Sequence, residues 1–282
     1  MSKKTVSKKI RDIIFGVLSF ILALFLFADS ICVLSVAFVF NKNAWIDQMH
    51  LSNYFVDKTD EVKNKLIILG NASGLAPEFF DKVVDTIQIT KDTQTYLDAY
   101  FDGKNDIIDT TVFKQTFYSE LEAYVKEKNA KVDDANVDYL VKQAEHIYTK
   151  SLEIPLLYRL SVYFTALRKI IPFIIAGLTA LSAVIVLILF LGNKKWRHRA
   201  FKYLYYACAG TCLSLLAAAV YLSAIGGLKK IVLESRALYN MAVSYGNSLT
   251  VAFWALTAFF FIVAFALYFV YRSKYIKVIS SD

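Results

Sequence analysis

Four long apolar stretches, roughly 13–40, 172–192, 203–225 and 249–271, constrain this chain more than any other feature. Each is free of Lys and Arg, and only the first holds an acid, Asp29. A helix needs roughly 20 apolar residues to cross about 30 Å of hydrocarbon, because every backbone N–H and C=O must find its partner inside the segment. A chain that is 57% hydrophobic, with only 10 Gly and 3 Pro, fits that demand and departs from ordinary soluble composition. The expected fold is an all-α integral membrane protein with four transmembrane helices and a helical extracytoplasmic domain inserted between the first and second spans.

The divisions expected along the chain are a basic cytoplasmic tail (1–12), the first span (13–40), the helical domain (41–171), the second span (172–192), a basic turn (193–202), the third span (203–225), an outer loop (226–248), the fourth span (249–271) and a cytoplasmic tail (272–282).

Cations near span ends are retained on the cytoplasmic side. The N-terminal tail carries Lys3, Lys4, Lys8, Lys9 and Arg11 against Asp12; the 192–202 turn carries Lys194, Lys195, Arg197, Arg199 and Lys202; the C-terminal tail carries Arg272, Lys274 and Lys277 against Asp282. The 41–169 segment has 16 basic and 20 acidic residues. The overall charge of +8 therefore resides in short segments that set topology and touch anionic headgroups, and it does not describe a nucleic-acid surface. The localisation this predicts is a plasma membrane, multi-pass, with both termini cytoplasmic. Trp45, Trp196 and several tyrosines, among them Tyr203, Tyr206, Tyr221 and Tyr271, fall at expected span boundaries.

The first apolar run is about twice the length of a signal-peptide core and reads as a retained anchor. Cys32, Cys208 and Cys212 all lie in apolar stretches, so the 41–171 domain has no cysteine. Small domains outside eukaryotic cells are usually stapled by disulfides, so their absence points to a bacterial membrane.

Within 41–171 apolar residues recur at three- and four-residue spacing, which predicts helices. Leu51, Phe55, Val62, Leu66 and Leu69 mark the first stripe, ending at Gly70. A short helix from Glu78 to Val84 follows Pro77. Thr90, Asp109 and Asp133 are the expected caps of three more helices, which end respectively at Gly103, at Asn129 and before Pro155; Val132 and Val137 would form a staple across the last cap. Leu156, Leu157, Leu160, Tyr163, Phe164 and Leu167 make a sixth stripe that runs straight into Pro172 and the second span.

No GxSxG, HExxH, phosphate-loop or CxxC pattern is present, and His50, His146 and His198 are far apart, so no enzyme, catalytic residue, metal site or cofactor is expected. Asp47 with His50 supplies too few ligands for a metal, and the acidic stretch Asp102, Asp106, Asp109 lacks EF-hand spacing. In the third span Cys208 and Cys212 share a face, and Gly210, Ser214 and Ala218 repeat a small-xxx-small spacing that favours close helix packing.

Asp29 is the sharpest single residue. It lies about 27 Å along a helix from Arg11, past the membrane midplane, where a carboxylate costs about 2.5–3.5 kcal/mol at the centre and less toward the interface. Its expected partners are Arg168, Lys169, Lys229 or Lys230, reaching inward from the outer boundary, or a hydroxyl such as Tyr221 or Ser223.

One span, a large external domain and three further spans resemble in outline the membrane subunit of the division-associated FtsE/FtsX transporter complex. The resemblance is one of topology: the 192–202 turn carries no matching motif and the external domain reads as all-helical, so no family is assigned. The expected function is that of a non-enzymatic envelope protein whose external domain binds a partner or envelope component, as a sensor or accessory subunit. The alternative is a small oligomeric channel or transporter with Asp29 as its cation or proton site. Besides the lipid bilayer, the partner expected is a protein or a second copy of the chain, not nucleic acid.

Overall fold

The structure, a computed structural model, describes residues 3–104, 108–129, 133–154, 157–194, 197–226 and 228–279. Its elements are α1 (Lys3–Leu34), a π-helical turn (Ser35–Val39), α2 (Lys42–Leu51), α3 (Tyr54–Ala72), α4 (Phe79–Val83), α5 (Thr86–Asp102), α6 (Thr111–Lys128), α7 (Asp134–Leu152), α8 (Leu157–Gly192), α9 (Arg197–Ile225) and α10 (Arg236–Ile279). Among the described residues there is no strand. Pro155, Leu156, Trp196, Lys195, Val132 and Asp106 lie outside the described residues, as do the side chains of Leu157 and Leu160.

Four helices are long and apolar enough to cross a membrane: Ile10–Val39, Tyr163–Gly192, His198–Ile225 and Arg236–Ile276. The chain divides into two compact units. One comprises Met1–Phe40, Arg168–Lys230 and Gly246–Asp282, and the other Asn41–Leu167 and Ile231–Tyr245.

In the apolar unit, large side chains such as Phe20, Phe173, Leu187, Leu213, Val251 and Ile262 face outward, as expected where lipid replaces water. The inward face is built by close packing of α1 on α9. Ser19 Oγ donates to the Tyr203 carbonyl at 2.6 Å and Thr211 Oγ1 to the Ala23 carbonyl at 3.1 Å. A Cβ on Gly210 would stand 3.2 Å from that of Ala23, so the two backbones approach because neither residue is large.

The seam of α9 runs through Tyr203, Ala207, Thr211, Leu215 and Ala219, all buried. The stripe expected from sequence is rotated from it by one residue. Gly210 and Ala218 flank the seam, while Ser214 is exposed and donates back to the Gly210 carbonyl. Both stripes have four-residue spacing, and periodicity alone does not say which of two adjacent faces meets a neighbour.

The second unit is held by an aromatic core. Phe117 of α6 packs edge-on against Phe79 of α4 at 5.3 Å, and Phe113 stacks on Tyr148 of α7 at 4.2 Å. Phe164 of α8 meets Tyr100 and Phe101 of α5 at 5.0 and 5.1 Å. Gly70 is required for close approach, because a Cβ there would fall 2.4 Å from the Phe80 ring.

Several local expectations match. Gly103 and Asn129 end α5 and α6 in left-handed conformations, with φ of 70° and 51°, and the Asp133 carboxylate accepts from the Ala135 N–H at the start of α7. Others do not. The first stripe is two helices broken at Asn53, which has a positive φ of 56°, and Leu51 is 71% exposed. Thr90 lies inside α5, its hydroxyl donating back to the Thr86 carbonyl at 2.7 Å, and the helix starts four residues earlier. Asp109, the expected cap, is one residue too early: Thr110 is the residue before α6, and the Asp109 carboxylate accepts from the Thr111 N–H at 3.0 Å.

The segment read as a loop, 226–248, is helical from Arg236 onward. Its first ten helical residues belong to the second unit and the rest of α10 to the apolar unit. α8 likewise contains the sixth stripe from Leu157 onward and Pro172 in one uninterrupted helix.

Candidate functional site

The start of α10 is gripped by three residues that α3 presents on one face, Asp57, Lys58 and Glu61. Ser235 is the residue before the helix, and its hydroxyl accepts from the Leu238 N–H at 3.2 Å, which satisfies one of the N–H groups a helix start leaves unpaired. Glu61 supplies a second cap from α3: Oε1 accepts from the Ala237 N–H at 2.9 Å, and Oε2 accepts from Lys58 Nζ at 2.7 Å. The Ser235 hydroxyl bridges them, 2.8 Å from Glu61 Oε2 and 3.0 Å from Lys58 Nζ.

Lys58 is 3% exposed. Burial pushes its ammonium below the usual lysine range, and the Glu61 carboxylate opposes that shift. Burial alone would raise the Glu61 carboxyl, yet the Lys58 ammonium, the Ala237 N–H and the Ser235 hydroxyl together hold it below the usual range. One turn away, Asn240 Nδ2 donates to Asp57 Oδ2 at 2.6 Å, and Ser244 Oγ donates to Gln48 Oε1 at 2.8 Å. This clamp is not visible as a motif, because its halves are some 180 positions apart. The available signal was Ser235 followed by Ala237 and Met241 at helical spacing.

At another place in the same unit, residues of α6 and α7 line two adjoining hollows of about 600 and 310 Å³. Leu121, Val125 and Val137 line both. The larger adds Leu69, Leu75 and Leu140 as apolar walls, with Tyr124, Tyr139, Asn136 and Lys128 offering polar groups. Tyr139 is 65% exposed. Such a mostly apolar cleft with a few polar groups is the usual form of a recognition site. In the smaller hollow the Tyr118 hydroxyl donates to Asp138 Oδ1 at 2.7 Å.

In the apolar unit, Asp29 meets a residue absent from the expected set. Thr179 Oγ1 of α8 donates to Asp29 Oδ2 at 3.3 Å, and Oδ1 is shielded from solvent with no donor among the described residues. No ion pair to Asp29 occurs among the described residues, so Arg168, Lys169, Lys229 and Lys230 are not its partners there; all four are exposed, as is Tyr221. Ser223 donates to its own helix, at the Ala219 carbonyl. A hydroxyl on α8 reaches Asp29 because it needs only one short side chain, whereas a lysine or arginine would have to fold back along its helix.

Three residues further along α8, the Ser182 hydroxyl is also buried without a hydrogen-bond partner among the described residues. Cys212 Sγ donates to the Thr257 carbonyl at 3.5 Å, and Cys208 is buried beside the α9 seam. No group of three or more His, Cys, Asp or Glu side chains could hold a metal among the described residues. Compared with protein-family models, with curated proteins and with solved structures, the chain matches none.

Proposed function

We propose that this chain is a non-enzymatic bacterial plasma-membrane protein, with both termini cytoplasmic, whose helical domain lies outside and binds an apolar segment of a partner protein. The single observation that carries the reading is the cleft between α6 and α7, with Leu121, Val125 and Val137 lining both of its hollows. The uneven distribution of cations supports the orientation. A sensor or accessory role is supported by α10, one helix whose first turns are clamped by Asp57, Lys58 and Glu61 and whose later turns form a candidate span.

The test uses the full chain, because the second unit includes residues 231–245 and a fragment ending at 171 would lose the clamp. A photoreactive residue replacing Tyr139 should give one discrete adduct in native membranes, and adding Val137→Arg should abolish it while leaving the amount of folded protein unchanged. An adduct no stronger than that formed at the exposed Lys91 of α5 would refute the cleft as a binding site.

A second reading is favoured by the shielded, undonated Oδ1 of Asp29. In this reading the chain is an oligomeric channel or transporter and Asp29, with Thr179, takes a cation or proton. Purified protein in liposomes would then carry ion flux, and Asp29→Asn would reduce it to the level of empty liposomes with the protein still folded. Absence of flux in the unmodified protein counts against this reading and leaves the binding role standing.

A further inference from the structure

We propose that the end of the apolar unit where α1 and α9 begin binds the phosphate of an anionic lipid headgroup, with Arg11, Arg199 and Lys202 as its ligands. The cluster is held by one carboxylate. Asp12 Oδ1 accepts from the Tyr203 hydroxyl at 3.2 Å and stands 3.9 Å from Arg199 Nη1. Lys202 Nζ lies over the rings of Tyr203 and Tyr206, at 5.9 and 5.5 Å from their centres. Arg11, within electrostatic reach of Tyr203, has its Nε shielded from solvent with no hydrogen-bond acceptor among the described residues.

Arg11, Arg199 and Lys202 thus all lie near Tyr203, whose hydroxyl is bound to the one acid, Asp12. The carboxylate is already shared between a phenol and a guanidinium. A shielded guanidinium N–H without an acceptor among the described residues is costly, and an anionic oxygen would relieve that cost. Guanidinium groups match phosphate through parallel N–H donors, and an ammonium adds a mobile point charge.

Depth identifies the source. Arg11 and Arg199 stand at the first turns of the candidate spans Ile10–Val39 and His198–Ile225, level with amphipathic tyrosines that favour the headgroup layer. At the same end of α9, Lys274 Nζ lies 4.4 Å over the Phe201 ring, and Lys194 is exposed, so the surrounding field is also positive.

The experiment titrates full-length protein, delipidated in neutral detergent, with short-chain phosphatidylglycerol, short-chain phosphatidylcholine or inorganic phosphate, and counts bound lipid by native mass spectrometry. Phosphatidylglycerol should bind selectively, and Arg11→Gln or Lys202→Gln should each weaken it about 10-fold, the scale of one charge-assisted hydrogen bond. Arg11→Lys should recover part of the affinity. Lys202 is only half-buried, so Lys202→Gln keeps the test valid if Arg11→Gln fails to fold. Equal binding of the two lipids, or unchanged affinity in the folded variants, would overturn the site. Displacement of the lipid by millimolar inorganic phosphate would overturn the lipid as its source.

Discussion

Replacing Glu61 by Ala is expected to destabilise the second unit by about 3 kcal/mol, because it removes one partner of a nearly buried ion pair and leaves the other behind. Lys58, 3% exposed, would retain the Ser235 hydroxyl and the Tyr54 ring, 5.5 Å from its Nζ, but no carboxylate among the described residues, and the Ala237 N–H would lose its acceptor. Hydrogen exchange followed by mass spectrometry should show the first turns of α10 exchanging about 100-fold faster, the factor that corresponds to about 3 kcal/mol. The double change Lys58→Met with Glu61→Leu should recover much of the loss, since it buries neither charge.

The same pair sets a pH dependence. The Glu61 carboxyl is held below its ordinary range in the folded chain, so its contribution is complete above the unfolded carboxylate pKa and disappears as pH falls through the folded one. Wild-type protein should therefore lose protection at α10 on acidification below the usual glutamate range. Glu61→Gln should start lower and lack that component. For Lys58 the sign is the same, in the alkaline range: burial holds its pKa down, so the unfolded chain binds the extra proton, stability rises with pH there, and the penalty of Glu61→Ala should shrink as pH rises.

Tyr148→Ala is expected to cost about 4 kcal/mol, placing it among the most damaging single changes in the helical core. Tyr148 is fully buried, stacks on Phe113, and donates to Asp92 Oδ2 at 2.6 Å. Burial and the adjacent Asp92 carboxylate both push the Tyr148 hydroxyl upward, so it remains a donor throughout the ordinary pH range. Truncation opens a cavity and leaves Asp92, 6% exposed, with only Gln88 Nε2 at 2.7 Å.

Tyr148→Phe separates the two effects. It preserves the ring and removes only the hydrogen bond, for an expected cost of about 2 kcal/mol. Urea unfolding followed by hydrogen exchange in α5 and α7 would read both values. Equal stability of wild type and Tyr148→Phe would show that the Asp92 contact carries none of the core's energy.

The spans were the most legible part of the chain, since a backbone in hydrocarbon must satisfy itself and only a long apolar run can do so. Helix ends set by local chemistry were legible too: Gly103 and Asn129 adopt left-handed geometry, and the Asp133 carboxylate reaches its own helix. Thr90 misled because its hydroxyl can bond forward as a cap or backward to the preceding turn, and only the partner at Thr86 decides between them.

Long-range pairings left no sequence signal. Thr179 opposite Asp29, Glu61 at the start of α10, and the seam of α9 through Ala207 and Thr211 all depend on how helices rotate about their axes. A segment of polar residues between two apolar ones, 226–248, looks like a loop until Asp57 and Glu61 are placed beside it. The cleft is likewise a product of how two helices pack, each of which carries an unexceptional apolar stripe.

Cysteine labelling in intact cells tests the proposed placement of the helical domain outside the membrane. With Cys32, Cys208 and Cys212 replaced by Ser, a single cysteine at Tyr139 should react with a membrane-impermeant maleimide without permeabilisation, and one at Lys194 only after it. Labelling of the Lys194 site in intact cells, with the Tyr139 site protected until the membrane is opened, would invert the topology and contradict the proposed role of the cleft.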